Sequence, residues 1–226
     1  MVKPLRWKDP NRLKVILLTV LINITAVIFF STTNWSDWKT GLFLNLVDNG
    51  ILLFYWYKTR DPLMPHLLIF GIAVGLAELP ADAWLVDYTK TLDYSIGGGP
   101  IIWRSPLWMP FAWEIVAVQF GYIGWVLYDR FKIGGILLAA VLGAINIPFY
   151  EEMALKTHWW LYRGCKMFLH TPYYIILGEF LIVICLVYGT KNIHRLRWDK
   201  TVLTGIVAGL SIFVCYAIAF YLIERI

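Results

Sequence analysis

Charge is scarce in this chain. Lys, Arg, Asp and Glu together make up 15% of its 226 residues against 59% for the hydrophobic types, and mean hydropathy is +0.64. Soluble domains carry roughly 25% charged residues, so a soluble globular fold is excluded and an integral membrane protein is implied. Cysteine is rarer still, at three residues. Cys185 and Cys215 fall inside apolar runs and Cys165 stands alone between two of them, so no pair has metal or redox spacing and no disulfide is required. The chain also lacks an internal repeat, a low-complexity tract and any polar stretch long enough for a separate soluble domain. Its net charge of +5 comes without the interleaved basic and aromatic residues that single-strand nucleic-acid binding needs, so no nucleic-acid partner is expected.

What the chain does have is hydrocarbon. A bilayer core takes about 20 apolar residues per helix, and seven stretches meet or approach that length: residues 13–31, 41–58, 63–86, 106–128, 133–151, 172–190 and 202–224. The expected architecture is all-α: a seven-transmembrane helix bundle forming one domain over residues 1–226. The first run, KVILLTVLINITAVIFF, follows a basic segment. Six further spans and the lack of a small-residue cleavage site favour a retained helix over a signal peptide.

Basic residues set the expected orientation. With the N-terminus inside, Lys3, Arg6, Lys8, Arg12, Lys14, Lys58, Arg60, Arg130, Lys132, Lys191, Arg195, Arg197 and Lys200 are inner. Lys39, Lys90, Arg104, Lys156, Arg163, Lys166 and Arg225 are outer. Thirteen against seven predicts a cytoplasmic N-terminus and an outside C-terminus in a multi-pass protein of the cell membrane. Lys156, Arg163 and Lys166 crowd one outer loop, which suggests a local role for them.

Charged groups inside spans are costly and normally face a bundle interior or cavity. On the second span Asn45, Asp48 and Asn49 share a face, as do Glu78 and Asp82 on the third, with Pro80 between them. Counting from Pro106 at 1.5 Å per residue puts Glu114 about 12 Å deep, and from Pro172 puts Glu179 about 10 Å deep. The fifth span ends on Asn146, Pro148, Glu151 and Glu152. Five helices thus place acids or amides in one half of the membrane, while the other half is almost purely apolar. The pattern predicts an acid-lined chamber opening toward the outer face, with Arg104, Lys156, Arg163, His158 and His170 near its mouth.

Ser105-Pro106 and Thr171-Pro172 read as N-cap and first-turn pairs that start spans four and six. Pro80, Pro110 and Pro148 each free a backbone carbonyl and can bend a helix. Trp84, Trp103, Trp108, Trp159, Trp160, Tyr162, Tyr173 and Tyr174 crowd the same side, most of the tryptophans as an interfacial belt, while Trp113 beside Glu114 is the best placed to line the chamber.

A carboxyl group in low dielectric is favoured in its neutral, proton-donating form, and aromatic faces stabilise a cation. That pairing suits protonation of an alkene or epoxide. GGGPIIWRSPLWMPFAWEIV, residues 97–116, resembles the corresponding region of membrane carotenoid hydratases of the bisanhydrobacterioruberin hydratase type. PFYEE, residues 148–152, is similar to the proline-and-acid motif of heterodimer-type lycopene cyclases, with one more residue between proline and acid. Small seven-span terpene cyclases of meroterpenoid pathways are similar in size and in placing acids on separate helices. The resemblance, over residues 78–179, implies an isoprenoid or carotenoid-like lipid substrate, acid–base cyclisation or hydration, and no cofactor or metal.

On this reading Glu78 and Glu114 are the proton donor and acceptor, supported by Asp82, Glu151 and Glu179. Asn45, Asp48, Trp113, Tyr173, Tyr174 and Arg104 bind substrate. Alternatives are a metal-dependent intramembrane hydrolase using Glu151, Glu152, His158 and His170, since EEMALK resembles the Glu-Glu-x-x-x-Arg of CAAX-type proteases although no second histidine motif follows, or a transporter, proton relay or structural membrane protein. A retinal photoreceptor is set aside because the last span has no lysine.

Overall fold

The computed structural model describes residues 9–191 and 193–225. Lys3, Arg6 and Lys8, counted above toward an inner N-terminus, lie outside the described residues. The protein is an all-α, multi-pass membrane protein. Its helices are α1 (Pro10–Ser31), α2 (Trp38–Thr59), α3 (Met64–Ala77), α4 (Leu79–Trp84), α5 (Met109–Phe131), α6 (Ile133–Lys156), α7 (Tyr173–Thr190) and α8 (Trp198–Glu224). Six stretches are long and apolar enough to cross a membrane: Pro10–Ser31, Met64–Thr89, Met109–Phe131, Ile133–Lys156, Tyr173–Arg195 and Trp198–Glu224. Helix α2 is as long as α1 but is less apolar, because it carries Lys39, Asp48 and Lys58.

Local chemistry sets the helix ends. Asp9 accepts from the Asn11 amide at 2.9 Å and Asp37 from the Lys39 amide at 2.8 Å, capping α1 and α2. Arg60, in the left-handed region at φ 53°, closes α2 by donating its amide to the Trp56 carbonyl at 2.8 Å. The third expected span is broken. Helix α3 stops at Ala77, and α4 begins at Leu79 and leads into a π turn over Leu85–Thr89. Pro80 has no amide hydrogen to continue the ladder, so the axis changes at Glu78.

Two expected helix starts also move. Ser105 and Pro106 form strand β3, paired with β2 (Ile101–Ile102), and α5 starts at Met109 with Pro110 in its first turn. Thr171 and Pro172 form β6, paired with β5 (Met167–Phe168), immediately before α7. A third ladder joins β1 (Leu92–Asp93) to β4 (Leu161–Tyr162), so the two long connections, 85–108 and 157–172, are stitched together. Helix α6 continues to Lys156, which places Glu151 and Glu152 within a helix rather than past its end.

Small residues let the helices approach. A Cβ on Gly71 of α3 would lie 2.8 Å from the Glu114 carbonyl oxygen, and one on Gly75 would run into the Pro110 backbone of α5. Gly205 and Gly209 of α8 meet the opposite side of α3 in the same way, at the Phe70 and Val74 carbonyls. Helix α3 is therefore clamped between α5 and α8 along two small-residue seams, the usual means of association where lipid removes the hydrophobic drive between helices.

Helix α1 is the least buried of the six membrane-length stretches and is anchored differently. Arg12 donates from Nε to Asp61 Oδ2 at 2.6 Å and from Nη2 to Asp61 Oδ1 at 2.7 Å, with both side chains almost fully buried. A further bond runs from Arg12 Nη1 to the Tyr122 hydroxyl of α5 at 3.3 Å, and Asp61 Oδ1 also accepts from the Leu63 amide at 2.9 Å. This fork joins α1, the α2–α3 turn and α5 at the end of the bundle away from the long connections. It also sets the end of α2 level with the start of α1.

Removing one partner leaves a buried charge unpaired, so Asp61→Ala should destabilise the protein by about 3–5 kcal/mol. The Arg12→Met, Asp61→Leu double variant should recover most of that loss. Denaturant unfolding in lipid nanodiscs checks both, and a loss under about 1 kcal/mol for Asp61→Ala would show that the fork does not hold α1.

Candidate active site

Beneath the stitched connections lies a cavity of about 400 Å³. Its body is apolar, formed by α1, α5 and α6 through residues such as Leu17, Ile24, Val116, Phe120, Ile123 and Leu142. Toward the connections it becomes polar and aromatic. There Asp82 of α4, Glu151 of α6 and Glu179 of α7 line the wall, all buried, and Glu151 lies within electrostatic reach of the other two.

Each of these acids is held by neutral donors. The Tyr94 and Ser105 hydroxyls donate to Asp82 Oδ2 at 2.6 and 2.8 Å. Trp160 Nε1 donates to Glu151 Oε2, and the Tyr216 hydroxyl donates to Glu179 Oε1 at 2.6 Å. Among the described residues, no Lys or Arg side chain lines the cavity. Three carboxyl groups without a cation in a largely apolar enclosure make a site whose field favours positive charge.

The connections supply the roof. Trp159 Nε1 donates to the Thr40 hydroxyl at 3.0 Å and to the Asp37 carbonyl at 3.1 Å, tying the 157–172 segment to the start of α2. Trp108, Trp159 and Trp160 pack as a cluster with ring centroids 5.5–6.1 Å apart, and Trp108 lies over Gly41, where a Cβ would come within 2.8 Å of its ring. Trp108, Trp159 and Trp160 are thus part of the chamber and not of an interfacial belt, whereas Trp84 packs on Phe213 and Phe220 of α8 and Trp103 is more than half exposed.

The structure divides the predicted residues. Asp82, Glu151, Glu179, Asn45 and Trp113 line the cavity. Glu78, Glu114 and Asp48 are buried but stand behind its wall. Glu78 sits beside Asp82, and neither of its oxygens finds a hydrogen-bond partner among the described residues. Glu114 approaches Asn49 of α2. Asp48 lies near Asn23 of α1, yet both its oxygens lack a well-formed hydrogen bond among the described residues. Tyr174 is buried elsewhere, bonded to the Thr91 hydroxyl at 2.6 Å.

Two further predicted substrate contacts, besides Asp48 and Tyr174, lie outside the chamber. Tyr173 is partly exposed, and Arg104 pairs at the surface with Asp87 at 2.8 Å. The crowded basic loop is likewise explained by local tethers: Lys156 to Glu152 at 3.1 Å, Arg163 to Asp93 at 2.9 Å, and Lys166 to the Ile223 carbonyl at 2.7 Å. Amide and hydroxyl bonds from Ser95, with Arg163 adding its charge, hold Asp93 below the usual carboxylate range.

The adjacent acids separate. Neighbours on a helix point about 100° apart, so Glu151 turns inward to Trp160 while Glu152 turns outward to His170 and Lys156. Among the described residues no three His, Cys, Asp or Glu side chains are grouped to hold a metal ion. The residues that sequence reasoning passed over are the donors: Tyr94, Ser105, Trp160 and Tyr216. Tyr216 carries the one available signal, a phenol in the middle of an otherwise apolar run, since a buried tyrosine hydroxyl usually has a partner.

Tyr216→Phe should cost about 1–3 kcal/mol by leaving Glu179 without its donor. Adding Glu179→Leu should cost less than the sum of the single changes, and a double-mutant cycle on unfolding measures that coupling. Strictly additive effects would mean the bond does not contribute.

The family description that matches the chain is Domain of unknown function (DUF6989), over residues 79–223. The match begins at the first residue of α4 and takes in all three acids, their donors and both long connections; Asn45 and the α1 wall precede it. Neither a curated protein nor a solved structure matches the chain.

Proposed function

Starting from the fact that this chain belongs to the DUF6989 family, we propose that it is a membrane-embedded enzyme acting on an isoprenoid or carotenoid-like lipid by acid–base chemistry. The observation that carries this reading is the cavity itself: three carboxyl groups held by neutral donors at one end of an otherwise apolar, aromatic-roofed chamber. The reaction is a protonation-initiated cyclisation or hydration. One carboxyl group gives its proton to an alkene carbon, forming a C–H bond as the π bond breaks, and leaves a carboxylate and a carbocation. Indole and phenol faces of Trp108, Trp113, Trp159 and Tyr94 stabilise the cation. In cyclisation the π bond of a second alkene in the same chain attacks the cation, closing a ring C–C bond and moving the positive charge to a new carbon, and a neighbouring carboxylate removes a proton from the carbon beside it. In hydration water adds to the cation and loses its proton to that carboxylate.

Glu78 and Glu114, the pair that depth alone favours, give way in this mechanism to Asp82, Glu151 and Glu179, which border the space a substrate would fill. Glu78 acts through Asp82 as an electrostatic neighbour. Substrate reaches the chamber from the bilayer between α1 and α6, where Leu17 and Leu142 line the cavity and are also nearly half exposed to the hydrocarbon side.

The finer topology belongs to the same proposal. Helix α2 crosses the membrane as a seventh span, with the N-terminus cytoplasmic and the long connections outside. The Arg12–Asp61 fork supports this, because it returns α2 to the level at which α1 begins.

Two tests follow. Lipid extracts of cells expressing the protein should gain a cyclised or hydrated isoprenoid, and Asp82→Asn, Glu151→Gln and Glu179→Gln should each reduce its formation by about 10²-fold or more. Unchanged product with all three variants would remove the acid–base reading. Reporter fusions at the two termini should score on opposite sides of the membrane; scoring on the same side would leave α2 unspanned.

A further inference from the structure

We propose that a second, smaller cavity beside Glu151 is an aqueous inlet through which protons and water from the loop side reach the chamber. The inference rests on the acid–base reading of the chamber and gives it a supply line. This cavity has a volume of about 110 Å³ and is lined by Glu151, Leu155, Leu161, Tyr162 and His170. Glu151 and Tyr162 also line the main chamber. They form the partition between the two spaces, and among the described residues Glu151 is the only acid that borders both.

The vestibule is suited to water. One water needs roughly 10–15 Å³ of probe-occupied space and two to four polar partners; the Glu151 carboxyl, the Tyr162 hydroxyl and the His170 ring supply three. His170 sits at its outer edge with its side chain 54% exposed. Its Nδ1 is engaged by Glu152, which pairs in turn with Lys156 of the same helix at 3.1 Å. Glu152 and Lys156 are thus the charged groups that face the ring, and they fix its orientation so that the opposite edge is available to water.

The proton that one carboxyl group gives up is returned to a neighbouring one, so a turnover consumes no net proton, but hydration consumes one water that must reach the cation from outside a hydrocarbon enclosure. The inlet delivers that water past Glu151. Between turnovers the vestibule water relays protons between Glu151, His170 and bulk, so that the donor and acceptor carboxyl groups regain their starting protonation with no net change. An imidazole suits such a relay, since its ring nitrogens both accept and donate hydrogen bonds. The side chain that sequence reading assigned only to the mouth of the chamber therefore acquires a defined place in it.

Thiol accessibility tests the inlet without reference to turnover. In a background with Cys165→Ser, Cys185→Ala and Cys215→Ala, cysteine is introduced as Glu151→Cys or, separately, as Leu155→Cys, and Ile145→Cys, on the exposed face of α6 and outside both cavities, serves as a lipid-facing reference. Thiolate forms readily only in contact with water, so a small, charged, membrane-impermeant thiosulfonate added to the loop side should label both vestibule positions about ten-fold or more faster than the reference. Adding His170→Trp, which fills the vestibule, should slow both by about ten-fold. The Leu155 position keeps the test decisive if loss of Glu151 impairs folding. Labelling at the reference rate, or labelling that His170→Trp leaves unchanged, would overturn the inlet. Rapid labelling blocked by His170→Trp, in a protein that turns over no isoprenoid, would support the inlet while the acid–base reading fell.

Discussion

Three carboxyl groups must be kept inside a hydrocarbon-spanning bundle with no basic side chain, among the described residues, lining the cavity to neutralise them. Most of what is unusual in this structure serves that requirement. The donors to Asp82, Glu151 and Glu179 are phenols, an indole and a hydroxyl, groups that satisfy an oxygen without cancelling its charge or taking its proton. A lysine or arginine would have been the stronger partner, and would have turned the cluster into a structural ion pair. That arrangement does occur elsewhere in the molecule: Arg12 and Asp61 form a fully paired, bidentate fork whose place is purely architectural. The protein thus uses two modes of holding buried charge, and the difference separates the part that stabilises from the part available for chemistry.

The donors reach the acids because the backbone departs from regular helix at the right places. The break at Glu78 turns Asp82 toward Ser105 and Tyr94, both in the connection that follows. One two-residue ladder, β1 with β4, then ties this connection to the one carrying Trp160 and Tyr162. Loops at membrane depth are tolerated only where they are buried in protein or line a cavity, and here the ladders satisfy part of their backbone while their aromatic side chains close the chamber. The small-residue seams of α3 have a related effect. By drawing α5 and α8 close along Gly71, Gly75, Gly205 and Gly209, they leave the free volume on the other side of α5, between it, α1 and α6.

Composition and the depth of polar residues were enough to read an all-α membrane protein with acids gathered toward one end, because bilayer thickness imposes those features on any sequence. Facing was less legible. Glu78 and Asp82 share a face only if the helix between them is continuous, and Pro80 ends that continuity. Glu151 and Glu152 could not be told apart by spacing, since either could have turned inward; Trp160, nine residues on, decides it. Trp108 and Trp159 carry the composition of an interfacial belt, and only the ladders and the Thr40 bond turn them inward. Ser105 and Thr171 carry the sequence of helix caps, yet their backbones pair in hairpins instead. The Trp159–Thr40 bond spans 119 residues, whereas the hairpins, the Pro80 break and the Trp160 bond are set within a few turns of chain, by side-chain directions that hydropathy and spacing do not carry.

The account stands or falls on what fills the chamber. Native mass spectrometry of the protein released from its own membrane measures this directly. The account predicts one isoprenoid or carotenoid-like lipid retained per chain, displaced when the cavity is filled by Val116→Trp, whose side chain lines it. Retention of ordinary phospholipid alone, or of a lipid that Val116→Trp does not displace, would contradict it.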